Sequence, residues 1–332
     1  MSIIAAELKW YKSKVITNTA TNGGTMSINE VVDGVKNNIF PDVSQAERIA
    51  GLIRNRKIFA KLVNAANEIL INPGFHIRDF TPAQDRVEMF VGTHTDVQGD
   101  ITGSERHYGA GALTANVTAG ATSFAMTLED PSQDIFEATG NTVWIGNAIN
   151  SEYHTNVSAS KSGDQVTLTL DTGAQLANNY LTTDDTIVSS VIYGVLTELK
   201  PVVDSVTATA AGDGDYDDVT DPIEGSNIAA VEDTFTLTFT SSTAFDLSSA
   251  LNGAMGISGN TSSDFAPTNT DFGIAYFTLR AGGWNGTWAS GDTLTIPTHP
   301  ASQGIWCEQT VPAGTNSFSG DNFKLRFGGE SA

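Results

Sequence analysis

PDVSQAERIAGLIRNRKIFAK, residues 41–61, is the stretch on which the reading of the fold turns, because it alone combines a helix-start signal with concentrated positive charge. Ser44 followed by Glu47 is a capping box. The serine oxygen accepts from the backbone N–H three residues on, and the glutamate reaches back to the serine N–H. The helix it starts is expected to be short, since Gly51 interrupts it. The apolar positions Ile49, Leu52, Ile53, Ile58 and Phe59 also fit no single helical period. A turn or two of helix running into an extended segment is the expectation.

Outward from that stretch the chain reads as β-sheet and loop. Its 332 residues exceed one ordinary core and suggest two or three domains. The 32 glycines, with heavy use of Thr, Ser, Asn and Asp, favour short strands joined by turns. The expected fold class is mainly β, with an N-terminal arm carrying the short helix and two or more sandwich- or barrel-like domains, the middle one inserted. The expected divisions are a basic arm and interface segment over 1–80, a β-scaffold over 81–113 and 188–229, an inserted barrel or sandwich over 114–187, and a C-terminal antiparallel sandwich over 230–332.

The pieces carrying that division are alternating runs. DQVTLTL (164–170) places Val166, Leu168 and Leu170 on one face; DTFTLTF (233–239) and FKLRF (323–327) do the same further on. Pro201 marks a break or an edge. Residues 248–271 read as a long polar loop, of a length that compact domains keep for function or interfaces.

The net charge of −21 is unevenly laid out. Residues 1–80 hold ten Lys or Arg against seven Asp or Glu, and the remaining 252 hold seven against 31. The two parts therefore differ in sign, and the basic segment is expected to lie on the acidic surface of a neighbouring copy, with Trp10, Arg48, Arg54, Arg56, Lys57 and Phe59 at the contact. The alternative is a solvated acidic surface beside an accidental basic patch. The acidic remainder disfavours nucleic acid as a partner. The N-terminus has no apolar signal core, and no run approaches the roughly 18 apolar residues of a membrane span, so a soluble chain without a secretion signal is expected. The single cysteine, Cys307, excludes an internal disulfide framework and reads as a small buried apolar residue.

Chemical constellations are sparse. Asp213, Asp215, Asp217, Asp221 and Glu224 fall at the first, third, fifth, ninth and twelfth positions of a calcium-type loop, although Asp218 stands where the sharp turn wants glycine. Structural Ca²⁺ is thus a candidate cofactor, against the plainer reading of a solvated acidic loop. Trp284 and Trp288 lie four apart in a Gly-rich turn and suggest sugar stacking, for example on a host surface glycan, against the plainer reading that they cover a sandwich core. The histidines (His76, His94, His107, His154, His299) lack helical zinc spacing. Carboxylate pairs such as Glu129 with Asp130 or Glu232 with Asp233 sit at strand ends, and nothing selects one of them for glycosidase work. The Gly-rich run 103–113 lacks the order of a phosphate loop, and no GxSxG elbow fixes a nucleophile. No enzyme activity is expected.

Several segments together resemble virion structural proteins of tailed bacteriophages: LKWYKS (8–13) with NGG (22–24), AERIAG (46–51) with RKIF (56–59), GSERHYGAG (103–111), and IWCEQTVPAGT (305–315) with GGES (328–331). The resemblance implies a repeated building block of the particle, located in the virion and contacting copies of itself and other virion proteins. It brings no catalytic residues. A tail protein, of the tube or tail tip and assembling into rings through the N-terminal arm, is the leading expectation. A head decoration or minor capsid protein, or a receptor- or carbohydrate-binding tail module, is the alternative.

Overall fold

A computed structural model describes residues 2–318 and 320–331. It is mainly β, with 46% of residues in strands and 5% helical, and it contains one short α-helix. The first strands are β1 (Leu8–Val15), β2 (Gly23–Glu30), β3 (Leu52–Leu62), β4 (Leu70–Asp79) and β5 (Arg86–Val91). The barrel strands follow as β6 (Ala110–Leu113), β7 (Ser123–Leu128), β8 (Asn141–Gly146), β9 (Ser151–Ser162), β10 (Gln165–Thr169) and β11 (Ile187–Ser190). Short pieces come next: β12 (Glu198–Leu199), β13 (Val202–Val203), β14 (Thr207–Thr209), β15 (Asp215–Tyr216) and β16 (Glu224–Gly225). Then come β17 (Asp233–Phe239), β18 (Ala244–Ser249), β19 (Gly253–Asn260), β20 (Thr268–Asn269), β21 (Ile274–Ala275), β22 (Phe277–Thr278), β23 (Trp284–Asn285) and β24 (Thr293–His299). The chain ends with β25 (Ser302–Val311) and β26 (Lys324–Ser331).

The helix forms where the capping box places it. α1 (Gln45–Ala50) has Ser44 Oγ accepting from Glu47 N at 3.3 Å, while Ser44 N donates to Glu47 Oε2 at 2.7 Å. Gly51 stops it at φ +80°, a conformation that L side chains rarely adopt, and a Cβ there would also lie 3.2 Å from Ala313 N. The chain then enters β3, which is covered on both faces. Ile58, Ala60 and Leu62 belong to the first core, while Lys57, Phe59 and Lys61 point to the opposite face and are buried as well. This two-sided burial is why the segment showed no clean helical period.

Three cores organise the chain. The first lies between the antiparallel sheet β2-β1-β3-β25-β5 and the smaller sheet β12-β4-β26. Val31, Ile39 and Phe40 pack on it, and Trp10 meets Phe75 and Phe327 edge-on at 6.1 and 5.9 Å. Strands β1 to β4 of residues 1–80 are thus integral parts of this module, packed on its core, and do not form a detached arm. The last thirty residues also return to this module: β25 pairs β3 along its whole length, and β26 pairs β4. A C-terminal sandwich running from 230 to the end is therefore corrected to a unit that closes at His299.

The second core fills a closed six-stranded barrel, β10-β7-β6-β11-β8-β9. Its entry and exit strands β6 and β11 are neighbours, and the chain leaves the first module after β5 and returns to it at β12. DQVTLTL alternates as a small barrel requires, with Val166 and Leu168 filling the lumen. NTVWIG is instead buried on both faces, Val143 and Ile145 in the lumen and Trp144 outside against His76. At the barrel rim, Glu129 accepts from Thr81 Oγ1 at 3.1 Å, and burial pushes its carboxyl up to about 9. An acid that holds its proton longer when folded than when unfolded loses stability as pH rises from about 4.5 to about 9. Glu129→Gln is expected to stabilise the protein by about 1–2 kcal/mol at pH 8 and by nothing at pH 4, since residual contact with water limits the gain. Urea unfolding at the two pH values measures this, and equal gains at both would remove the explanation.

The third core lies under the sheet β13-β24-β17-β18-β19, with β14 also pairing β24. Pro201 sits where the chain passes from β12 of the first module to β13 of the third. The long polar loop expected over 248–271 is instead largely the hairpin β18–β19, whose register shifts between Leu247 and Ser248. The exposed positions of β19 are Gly253, Ala254, Gly256, Ser258 and Asn260, small or polar residues that leave the period-2 signal weak.

Candidate functional site

The residues expected at a charged subunit interface are mostly internal. Arg54 is 3% exposed, pairs with Glu47 at 2.8 Å and donates to Pro41 O. Arg56 donates to Thr17 O and to Asn18 Oδ1, closing the β1–β2 turn. Lys57 sits 2.6 Å from Asp96 Oδ1 and donates to Gly24 O; Arg48 and Phe59 are buried too. Five of the ten cations of residues 1–80 are buried (Arg48, Arg54, Arg56, Lys57, Lys61) and none of its seven acids is. The accessible charge of that segment is therefore five against seven, and the basic patch read from the sequence does not exist on the surface.

The acidic loop does not converge either. Asp213 accepts from Thr287 N, Asp217 caps the turn at Val219 and Thr220, and Glu224 pairs with Arg280 at 3.0 Å. Asp215 is spent in β15, paired with β23, and the Asp221 carboxylate lies beside Gly282. The linear spacing of a calcium loop is thus unfolded along two short strand pairs. Trp284 and Trp288 are also accounted for internally. Trp288 is 4% exposed and stacks on Phe239 at 4.2 Å and 9°, and Trp284 meets it edge-on at 5.7 Å. Their rings are core and not a sugar platform.

What the fold does assemble is a polar seam between the first and third modules. Lys61, with no measurable exposure, donates to Ile228 O at 2.5 Å and lies 4.5 Å over the Phe272 ring; burial pulls its ammonium down to about 8. Beside it, His94 from the loop after β5 meets Glu232 and His299 of the third module. His299 Nδ1 is 2.8 Å and His94 Nδ1 3.3 Å from the same oxygen, Glu232 Oε2. The outer nitrogens are held as well: His299 Nε2 lies 3.0 Å from Asp204 Oδ2, and His94 Nε2 lies 2.9 Å from Ser302 O. Burial works against a charge on His299, but its two carboxylate partners outweigh that and raise its pKa.

Among the described residues, His94, Glu232 and His299 are the group whose ligand atoms lie together, all within 4.8 Å. Comparisons with family models, with characterised proteins and with solved structures gave no match to this chain. Among the described residues no helix is long and apolar enough to cross a membrane.

The seam was partly recoverable from sequence. Glu232 immediately precedes the alternating run of β17 and His299 ends that of β24. Pairing those runs antiparallel sets Asp233 opposite Thr298 and so brings Glu232 to His299. His94 carries no such signal, because its approach depends on how two modules dock. Asp96, two residues further on, serves Lys57 and the Trp306 indole.

Proposed function

We propose that the chain is a non-enzymatic structural building block of a tailed-phage virion, a tail protein of the tube or tail tip that packs against copies of itself and other virion proteins. The resemblance in its sequence segments supports this reading, and one observation carries its assembly mode. Of 18 exposed large apolar side chains among the described residues, seven fall within residues 15–53: Val15, Ile16, Ile28, Val32, Val35, Ile49 and Ile53. That is more than a third of them in about an eighth of the chain. Ile28 lies on β2, Val32 and Val35 just after it, and Val15 and Ile16 at the end of β1, while Ile49 and Ile53 stand on α1 and early in β3. β2 is an outer strand that pairs only β1 in its sheet. Concentrated apolar exposure beside an open sheet edge favours contact with another protein surface. A second copy is the occupant proposed.

The contact is apolar, so its salt dependence has a definite sign. Both copies carry net charge −21 and repel at long range. Ionic strength shortens that repulsion to about 8 Å at physiological salt and leaves apolar burial intact. Association should therefore grow as salt rises. Negative-stain electron microscopy and sedimentation velocity at low and high salt test this. Rings, tubes or discrete oligomers at high salt are expected, and Ile28→Asp with Val32→Asp should reduce association at least about tenfold, roughly 1.4 kcal/mol. A monomer under every condition, or assembly indifferent to the two aspartates, overturns the reading.

A further inference from the structure

At the module seam two imidazoles converge on one carboxylate oxygen, Glu232 Oε2. Their outer nitrogens are each held by an acceptor, His94 Nε2 by the Ser302 carbonyl at 2.9 Å and His299 Nε2 by Asp204 Oδ2 at 3.0 Å. A ligating form of the pair keeps its protons on these Nε2 atoms. Both Nδ1 lone pairs are then left directed at one carboxylate oxygen.

We propose that this is a binding site for a divalent transition metal of the zinc class, held by His94 Nδ1, His299 Nδ1 and a carboxylate oxygen of Glu232. The three ligand atoms lie within 4.8 Å of one another, close enough to surround one ion. Around a tetrahedral ion with bonds of about 2.0–2.1 Å, ligand atoms sit about 3.3 Å apart. The His94 Nδ1 to Glu232 separation is already 3.3 Å, and the His299 contact at 2.8 Å must open slightly. The outer contacts are those that metal-ligating histidines use, one to a carboxylate and one to a backbone carbonyl, fixing tautomer and ring orientation. Two nitrogens and one carboxylate suit zinc and its neighbours and do not suit calcium or magnesium. The side chains are 27%, 22% and 33% exposed, which leaves an entry path and room for a water as fourth ligand. Because His94 belongs to one module and Glu232 and His299 to another, the ion would clamp the two together.

Isothermal titration calorimetry of the full chain with ZnCl₂ near pH 7.5 tests the site. About one saturable Zn²⁺ per chain is expected, with a rise in melting temperature of about 3 °C or more at saturation and no comparable rise with Ca²⁺ or Mg²⁺. His94→Ala and His299→Ala should each weaken binding more than about a hundredfold, and Asp204→Asn about tenfold through the loss of its support for the ring. His154→Ala, on the barrel beside Glu152, should leave binding unchanged. Independently of any variant's folding, Co²⁺ added to the unmodified protein should show the intense visible ligand-field bands of low-coordinate nitrogen ligation. Absence of saturable Zn²⁺ binding, binding unaffected in the His94→Ala/His299→Ala double variant, or a weak octahedral Co²⁺ spectrum would overturn the assignment.

Discussion

Asp96→Ala is expected to destabilise the protein by about 3–5 kcal/mol, because it strands the Lys57 ammonium inside the molecule without a counter-charge. The lysine side chain has no measurable exposure and lies 2.6 Å from Asp96 Oδ1, with Gly24 O and Asp96 O as its remaining acceptors. The same carboxylate accepts from Trp306 Nε1 at 2.6 Å and from Thr93 N and Oγ1, each at 2.9 Å, so one side chain serves four donors. Burial alone would raise the Asp96 pKa, but the hydrogen bonds from Lys57 and Trp306 outweigh it and hold it below the usual value. A depressed acid contributes its stability fully above its unfolded pKa of about 3.9 and loses it as pH falls through the folded value. The wild type and Asp96→Ala should therefore differ most near neutrality and converge in acid. Asp96→Asn, which keeps an acceptor but not the charge, should cost less. Urea unfolding read by tryptophan fluorescence, together with amide exchange along β3, measures all three. If adding Lys57→Met to Asp96→Ala recovered none of the loss, the stranded charge would not be its cause.

That pair shows how far the sequence could be read. The capping box at Ser44 and Glu47 is a local interaction, so helix α1 and its end at Gly51 were legible from residues 44–51. The barrel was legible because strict alternation over five residues or more already fixes which side chains point inward. The charge reading failed for a different reason. Lys57 and Lys61 stand on a face of the central strand that is covered by the 93–97 loop and by Ile228 and Phe272, all distant in sequence. Arg54 and Arg56 on the other face are closed in by Glu47 with Pro41 and by the β1–β2 turn. A count of cations carries no information about that cover. The same limit applies to Trp284 and Trp288, whose fate depends on Phe239 arriving beneath them, and to the calcium-like spacing, which two short strand pairs pull apart. The return of β25 to lie between β3 and β5 is the largest non-local event in the chain, and no local pattern announces it.

His76→Phe is expected to make the protein more acid-resistant, and its effect identifies which seam opens first. His76 lies on β4 and is 1% exposed. Its ring is 4.8 Å from Trp144 and 5.5 Å from Tyr153 on the outer wall of the barrel, and neither ring nitrogen has a protein partner. Burial, reinforced by Arg326 and Arg78, pulls its pKa down to about 3. Between about 6.5 and 3 the unfolded chain takes up a proton that the folded chain refuses, so stability falls on acidification by at most about 1.4 kcal/mol per pH unit. Phenylalanine keeps the ring contacts, removes two unsatisfied polar atoms and abolishes that proton uptake. The variant should equal or exceed the wild type at pH 7 and be more stable by about 2–3 kcal/mol at pH 4. Beside this ring cluster, the barrel meets the first module through the bond from Ser189 Oγ to Ile77 O and the bridge between Phe75 and Ile192, and further along through the Thr81–Glu129 bond and the Arg86–Asp130 ion pair. Its own core is separate from that contact. Acid should therefore raise amide exchange at Phe75, Ile77 and Ile192 before it reaches Val143 or Leu168 inside the barrel, and His76→Phe should cancel that order. Parallel pH–stability curves for the two proteins would mean that the histidine is hydrated in place and that the seam is indifferent to acid.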